Sequence, residues 1–155
     1  MVNLELVLAA LVAVLLVVAA IVDGRHRIIP NRLNLAIALL AIPYWWATSL
    51  ALWPDVAIQF GIAAIAFAIL LGVFWLGQMG GGDVKLIVAL ALFLAPLDFL
   101  RMIFIMAIAG GILTLVMVVR YRMKGSEGPF ENPYGIAIAI GGLVALSERY
   151  LNHLP

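Results

Sequence analysis

The chain has no cysteine, which excludes a disulfide framework and any thiolate-held metal. It is also poor in charge. Asp, Glu, Lys and Arg make up 11% of its residues, against about a quarter in soluble domains. Only two histidines are present, His26 and His153, far apart and without ligand spacing, so no metal site is expected. The first residues, Met-Val-Asn-Leu-Glu, contain no Lys or Arg. A secretory signal needs a basic start, so this segment is read as a permanent span. The formal net charge of +1 says nothing about partners. Neither nucleic acid nor a cofactor is expected.

What the chain has instead is apolar sequence, at 66% of its 155 residues. A soluble core of this size cannot hide so much apolar surface, so the solvent is lipid. The length fits one integral-membrane domain, residues 1–155. Spans need about 20 mostly apolar residues, and six candidates emerge: 4–22, 33–53, 56–76, 83–98, 99–119 and 134–151. The fourth is short between Lys85 and Asp98 and crosses only if both its ends reach the headgroups. In the sixth, Ile136-Ala137-Ile138-Ala139-Ile140 alternates like a strand. A lone strand in lipid leaves its backbone unsatisfied, so a helix is expected. The fold class is all-α, a polytopic membrane bundle of about six transmembrane helices.

The charges alternate between the loops. Arg25, Arg27 and Arg32 follow the first span, Lys85 follows the third, and Arg120, Arg122 and Lys124 follow the fifth. The positive-inside rule places these loops in the cytoplasm and both termini outside. Trp53-Pro54-Asp55 and the Asp98/Arg101 corner then lie on the opposite side. Tyr44, Trp45, Trp46 and Trp53 read as an aromatic belt at the outer face, and Trp75 as its counterpart at the inner face. Pro43 and Pro96 are expected to kink or end their helices.

Two acids stand out. Asp23 closes the first apolar run, and Asp83 follows Gly80-Gly81-Gly82. Ionisable groups at or near bilayer depth are functional candidates by default, and the topology puts both on the same side. A carboxylate at a helix C-terminus opposes the dipole, so Asp23 is no cap; the plain alternative is a water-boundary marker paired with Arg25 or Arg27. Asp83 reads as an N-cap of the following helix, a role compatible with catalysis. The glycines before it permit close approach by another chain, such as an extended substrate. Lys85 either snorkels to the interface or biases the acids from a distance. Ile29-Pro30-Asn31 restarts the chain as a helix-start signal. Residues 129–135 are dense in turn formers and stiffen the entry to the last span; within them Glu131 is a solvated loop charge or a third acid.

Asp23 with Ile29-Pro30-Asn31, then Gly80-Gly81-Gly82-Asp83 with Lys85, resembles the type IV prepilin peptidases, membrane aspartic peptidases with a Gly-x-Gly-Asp signature. Pro133-Tyr134-Gly135-Ile136-Ala137 resembles the start of the last helix in their small, peptidase-only branch, linked to tight-adherence (Flp) pili. The resemblance spans essentially the whole chain. It implies Asp23 and Asp83 as the catalytic pair, with Gly80, Gly82, Lys85, Pro30 and Asn31 supporting or binding substrate. It also implies a bacterial inner membrane and a prepilin or pseudopilin substrate, whose short basic leader is cut at the cytoplasmic face, often after Gly. Glu127 and Glu131 offer an offset to the repulsion between basic loops and basic leader. Larger relatives carry paired Cys-x-x-Cys motifs in an extra cytoplasmic region and also N-methylate the product. This chain has neither motif nor insertion, so peptidase activity alone is expected. Oligomeric state and the division of roles between the acids are left open.

Three other readings compete. A small ion- or proton-coupled transporter also uses intramembrane carboxylates, but both acids lie near one face and no inverted repeat is visible. Presenilin-like peptidases are much larger and set their first Asp in a Tyr-Asp context, whereas this chain has Val22-Asp23-Gly24. A non-enzymatic assembly scaffold would tolerate Asn at both acids.

Overall fold

The computed structural model describes residues 3–123 and 133–151. The expectations placed on Lys124, Glu127, Glu131, the turn formers 129–132 and His153 fall outside those residues. Six helices account for most of the described chain: α1 (Leu4–His26), α2 (Asn31–Ala47), α3 (Ala57–Trp75), α4 (Gly81–Ala91), α5 (Pro96–Met123) and α6 (Tyr134–Leu151). No strand occurs among the described residues. The alternating Ile-Ala run is helical, in α6. Among the described residues three segments are long and apolar enough to cross a membrane: Leu4–His26, Leu52–Trp75 and Pro96–Met123. The protein is an all-α membrane helix bundle.

Its outward faces carry large apolar side chains such as Leu11, Val14, Ile21, Phe60, Ile69, Phe104 and Leu115, all exposed. In water such a surface would drive association; in lipid it is ordinary. The inward faces are narrow stripes. On α1 the buried residues are Leu8, Ala9, Val12, Leu16, Ala19 and Asp23. Their spacing of three and four residues marks one face of a helix, so Asp23 continues the same stripe as the apolar core above it. It therefore points into the bundle although it sits close to the helix end.

The fourth expected span, 83–98, needs correction. Its helix, α4, has 11 residues, about 16 Å of rise, roughly half the hydrocarbon thickness. The cause is local. Pro96 opens α5, and the residue before a proline is pushed out of helical geometry, so no helix runs unbroken from α4 through Ala95 into α5. The turn is then held by tertiary contacts. The Trp45 indole N–H donates to the Leu92 carbonyl at 2.7 Å, and the Tyr44 and Phe93 rings lie 5.2 Å apart. Tyr44 is fully buried and Trp45 packs against Phe60, so these two brace α4 and are not belt anchors. Trp46, Trp53 and Trp75 are each more than 80% exposed, as anchors require.

Helix α2 also ends before the expected residue 53, at Ala47. Pro43 lies inside it without ending it. The Thr48 hydroxyl donates to the Tyr44 carbonyl at 2.8 Å, beside the Thr48 backbone N–H that bonds the same carbonyl at 2.9 Å.

α4 is the hub, packed against α2, α3 and α6, while α6 also packs along α1 and α5. At one end of the bundle Arg101 lies 3.7 Å from Asp98 and 3.9 Å from Glu148. This joins the start of α5 to the end of α6, as the alternation of loops requires.

Candidate active site

Asp23 and Asp83 reach the site from helices separated by sixty positions of sequence, and their charges act on one another. Both are nearly closed to solvent, at 5% and 9% exposure. Like charges that act on one another away from water repel, so this pair is not one that stability alone would select.

Each carboxyl is held by backbone. Asp83 is not the N-cap that its position after three glycines suggests. Gly80 occupies that position and α4 begins at Gly81. Asp83 falls at the third helical residue, where its Oδ2 reaches back to accept the Gly80 N–H at 3.2 Å. This is the returning half of a capping box, and it places the carboxyl against the positive end of α4. Its Oδ1 is buried without a hydrogen-bond partner among the described residues.

Asp23 makes no ion pair with Arg25 or Arg27 among the described residues, so the boundary-marker reading fails in its simple form. Arg27 exerts only a longer-range charge on it. Its Oδ2 instead accepts the Gly135 N–H, at 2.8 Å, from the start of α6. Gly135 was legible as part of a Pro-Tyr-Gly element, but nothing in that element announces a bond across 112 positions of sequence.

The remaining candidates form a bracket beside the acids. Pro30 is the N-cap of α2, and its carbonyl accepts the Leu33 and Asn34 N–H groups at 3.0 and 3.3 Å. Asn31, at the first helical position, does not cap; its Oδ1 accepts from Lys85 Nζ at 2.8 Å. Lys85 is therefore tied to α2. Gly82 sits against Ile29, and a Cβ built on it would lie 3.1 Å from both the Ile29 carbonyl oxygen and the Ile29 Cβ. The close approach that the glycines were expected to offer a substrate is, at Gly82, used by this chain itself. Asn34 completes the bracket, although only a polar residue in an apolar helix hinted at it. It is buried, and its Nδ2 donates to the Gly82 carbonyl at 2.9 Å.

The Lys85–Asn31 bond is exposed, so its loss costs little. Lys85→Met and Asn31→Ala should each lower stability by about 1 kcal/mol or less. Thermal unfolding in detergent checks this, and a drop several times larger in either variant would contradict a simple tether.

The comparisons with known proteins bear on this arrangement. The model of the type IV leader peptidase family matches residues 10–115, a stretch that contains Asp23, Ile29-Pro30-Asn31, Gly80–Asp83 and Lys85 and stops before α6. No curated protein and no solved structure matches the chain. The family match covers well over half of the sequence, and the chain therefore belongs to the type IV leader peptidase family.

Proposed function

We propose that this protein is a membrane-embedded aspartic endopeptidase that removes the short leader of prepilin-like substrates at the cytoplasmic face, and that it does not methylate the product. The observation that carries the reading is a pair of buried acids, Asp23 and Asp83, each held by a backbone N–H and within range for the charge on one to act on the other.

The chemistry follows from the pair. Two buried carboxyls whose charges interact do not both ionise cheaply, so they share one proton and titrate as a unit. The ionised member takes a proton from water as that water attacks the scissile carbonyl. The protonated member donates a hydrogen bond to the carbonyl oxygen, where negative charge develops. The proton taken from water passes to the departing nitrogen as the C–N bond breaks. The unpartnered Oδ1 of Asp83 is an oxygen left over for the substrate or the attacking water. Gly80, Gly82, Pro30, Asn31 and Lys85 support the chemistry by holding α4 and the start of α2 in register.

The basic residues near this end, Arg25, Arg27, Arg32 and Lys85, favour a cytoplasmic orientation. The chain is then a multi-pass protein of the bacterial inner membrane.

Co-expression with a candidate prepilin tests the proposal. The wild-type protein should shorten the pilin by its leader, and mass spectrometry should find a free, unmethylated new N-terminus. A methylated product would refute the restriction to peptidase activity. An uncleaved pilin, together with ion-coupled uptake in proteoliposomes, would favour the transporter instead.

A further inference from the structure

We propose that the first turn of α6 is a working part of the site, and that Gly135 is a positioning residue for Asp23. The inference rests on the peptidase reading above and goes beyond it, since the family match ends at residue 115 and leaves α6 unassigned.

Three observations converge on Gly135. Its N–H donates to Asp23 Oδ2 at 2.8 Å, a buried bond. It is the second residue of α6, so this N–H is among the four at a helix start that have no intrahelical partner. The donor is therefore free to serve Asp23 without weakening the helix. Finally, a Cβ built on Gly135 would lie 2.8 Å from Asp23 Oδ2 and 2.9 Å from both its Cβ and Cγ. Any side chain would displace the carboxyl, so the bond in this form requires glycine.

The neighbouring residues anchor the turn. Pro133 is buried and precedes the helix, and the Tyr134 ring rests on Gly110 of α5, with Cε1 3.4 Å from where a Cβ would stand. The donor is thus fixed to α5 on one side and presented to α1 on the other. A carboxyl near the end of a helix can rotate about two side-chain bonds. Committing Oδ2 to a fixed N–H sets the plane of the group and leaves the other oxygen for water. Charged groups acting on Asp23 are Asp83 from α4 and Arg27 from its own helix end; neither constrains its plane with a hydrogen bond. The dyad is then built from three helices rather than two: α1 and α4 supply the acids, and α6 orients the first.

The test measures kcat and KM for a purified prepilin in proteoliposomes. Gly135→Ala should lower kcat about 100-fold, the scale of an ångström misplacement of a reacting group, with KM changed less than about twofold because no substrate contact is removed. A second variant guards against misfolding. Replacing Gly135 by glycolic acid, through α-hydroxy acid incorporation, exchanges the N–H for an ester oxygen and adds no side-chain atom; kcat should fall about 10-fold or more. Gly141→Ala serves as a packing control. Its Cβ would meet the Met102 carbonyl oxygen at 2.7 Å, so it crowds α6 against α5 away from the acids, and it should lower thermal stability while sparing kcat per folded molecule. Wild-type kcat in the glycolic acid variant would overturn the proposal. So would equal kcat losses, per folded molecule, in Gly135→Ala and Gly141→Ala. A wild-type protein that cleaves no prepilin would instead defeat the underlying peptidase reading, so the two failures are distinguishable.

Discussion

Asp23→Asn and Asp83→Asn should each abolish leader cleavage, with kcat/KM falling by about 10³-fold or more, while the protein stays folded in the membrane. General acid–base catalysis by one positioned group contributes about 10²–10⁴-fold. Here neither acid has an independent role. A lone acid cannot at once be the base that takes water's proton and the acid that donates to the developing oxyanion. Residues acting as a unit are strongly non-additive, so the double variant should be no slower than either single one. Folding should survive because Asn keeps the shape of Asp and buries no additional charge. The substituted side chain also retains an oxygen able to accept the Gly80 or Gly135 N–H. The assay is conversion of a purified prepilin, followed by gel mobility and mass, with thermal unfolding measured in parallel. Near-normal cleavage by either variant would end the dyad interpretation. Equal or higher melting temperatures with no cleavage would separate a catalytic loss from a structural one.

Gly82→Ala should damage both stability and activity. The new methyl group would stand 3.1 Å from the Ile29 carbonyl oxygen and Cβ, and 3.4 Å from the Ile29 nitrogen. These are backbone and β-carbon atoms that no rotamer change can move aside. Relief requires α4 to back away from residues 27–30 by a few tenths of an ångström. That shift strains the Asn34 bond to the Gly82 carbonyl and draws Asp83, one residue on, away from Asp23. Overpacking of this kind costs about 1–3 kcal/mol. Since a 1 Å misplacement costs about 100-fold, a loss of about 10-fold in kcat is expected. Gly72→Ala, which meets nothing within 4 Å, should be neutral and controls for the loss of a glycine as such. Retention of full stability and rate by Gly82→Ala would show that the bracket is not tight.

Particular residues show how far the sequence could be read. The apolar runs located every helix because lipid permits little else: backbone groups there must be satisfied within the segment. That Asp23 shares the inward stripe of Leu16 and Ala19 was not legible, because α1 is apolar on nearly every side and spacing alone does not say which face turns inward. The shortness of α4 was visible in Pro96, although the extent of the break was not. Tyr44 and Trp45 were misjudged because an aromatic near a span end has the same local signature whether it meets the headgroups or a neighbouring turn. Only the packing of α2 against α4 separates those cases. Asp83 was displaced from N-cap to the third helical position because a run of three glycines does not say where the first turn begins.

The sequence by itself determined an all-helical bundle living in lipid and the placing of two acids at the edges of its apolar runs. Both conclusions depend on composition and on short-range spacing, which local chemistry enforces. Tertiary structure alone decided that Gly135 holds Asp23, that Asn34 and Ile29 clasp Gly82, and that Lys85 serves Asn31. Those contacts join residues 48 to 112 positions apart. Nothing local encodes them, because a backbone N–H or carbonyl is the same group at every residue and acquires its partner only when helices pack.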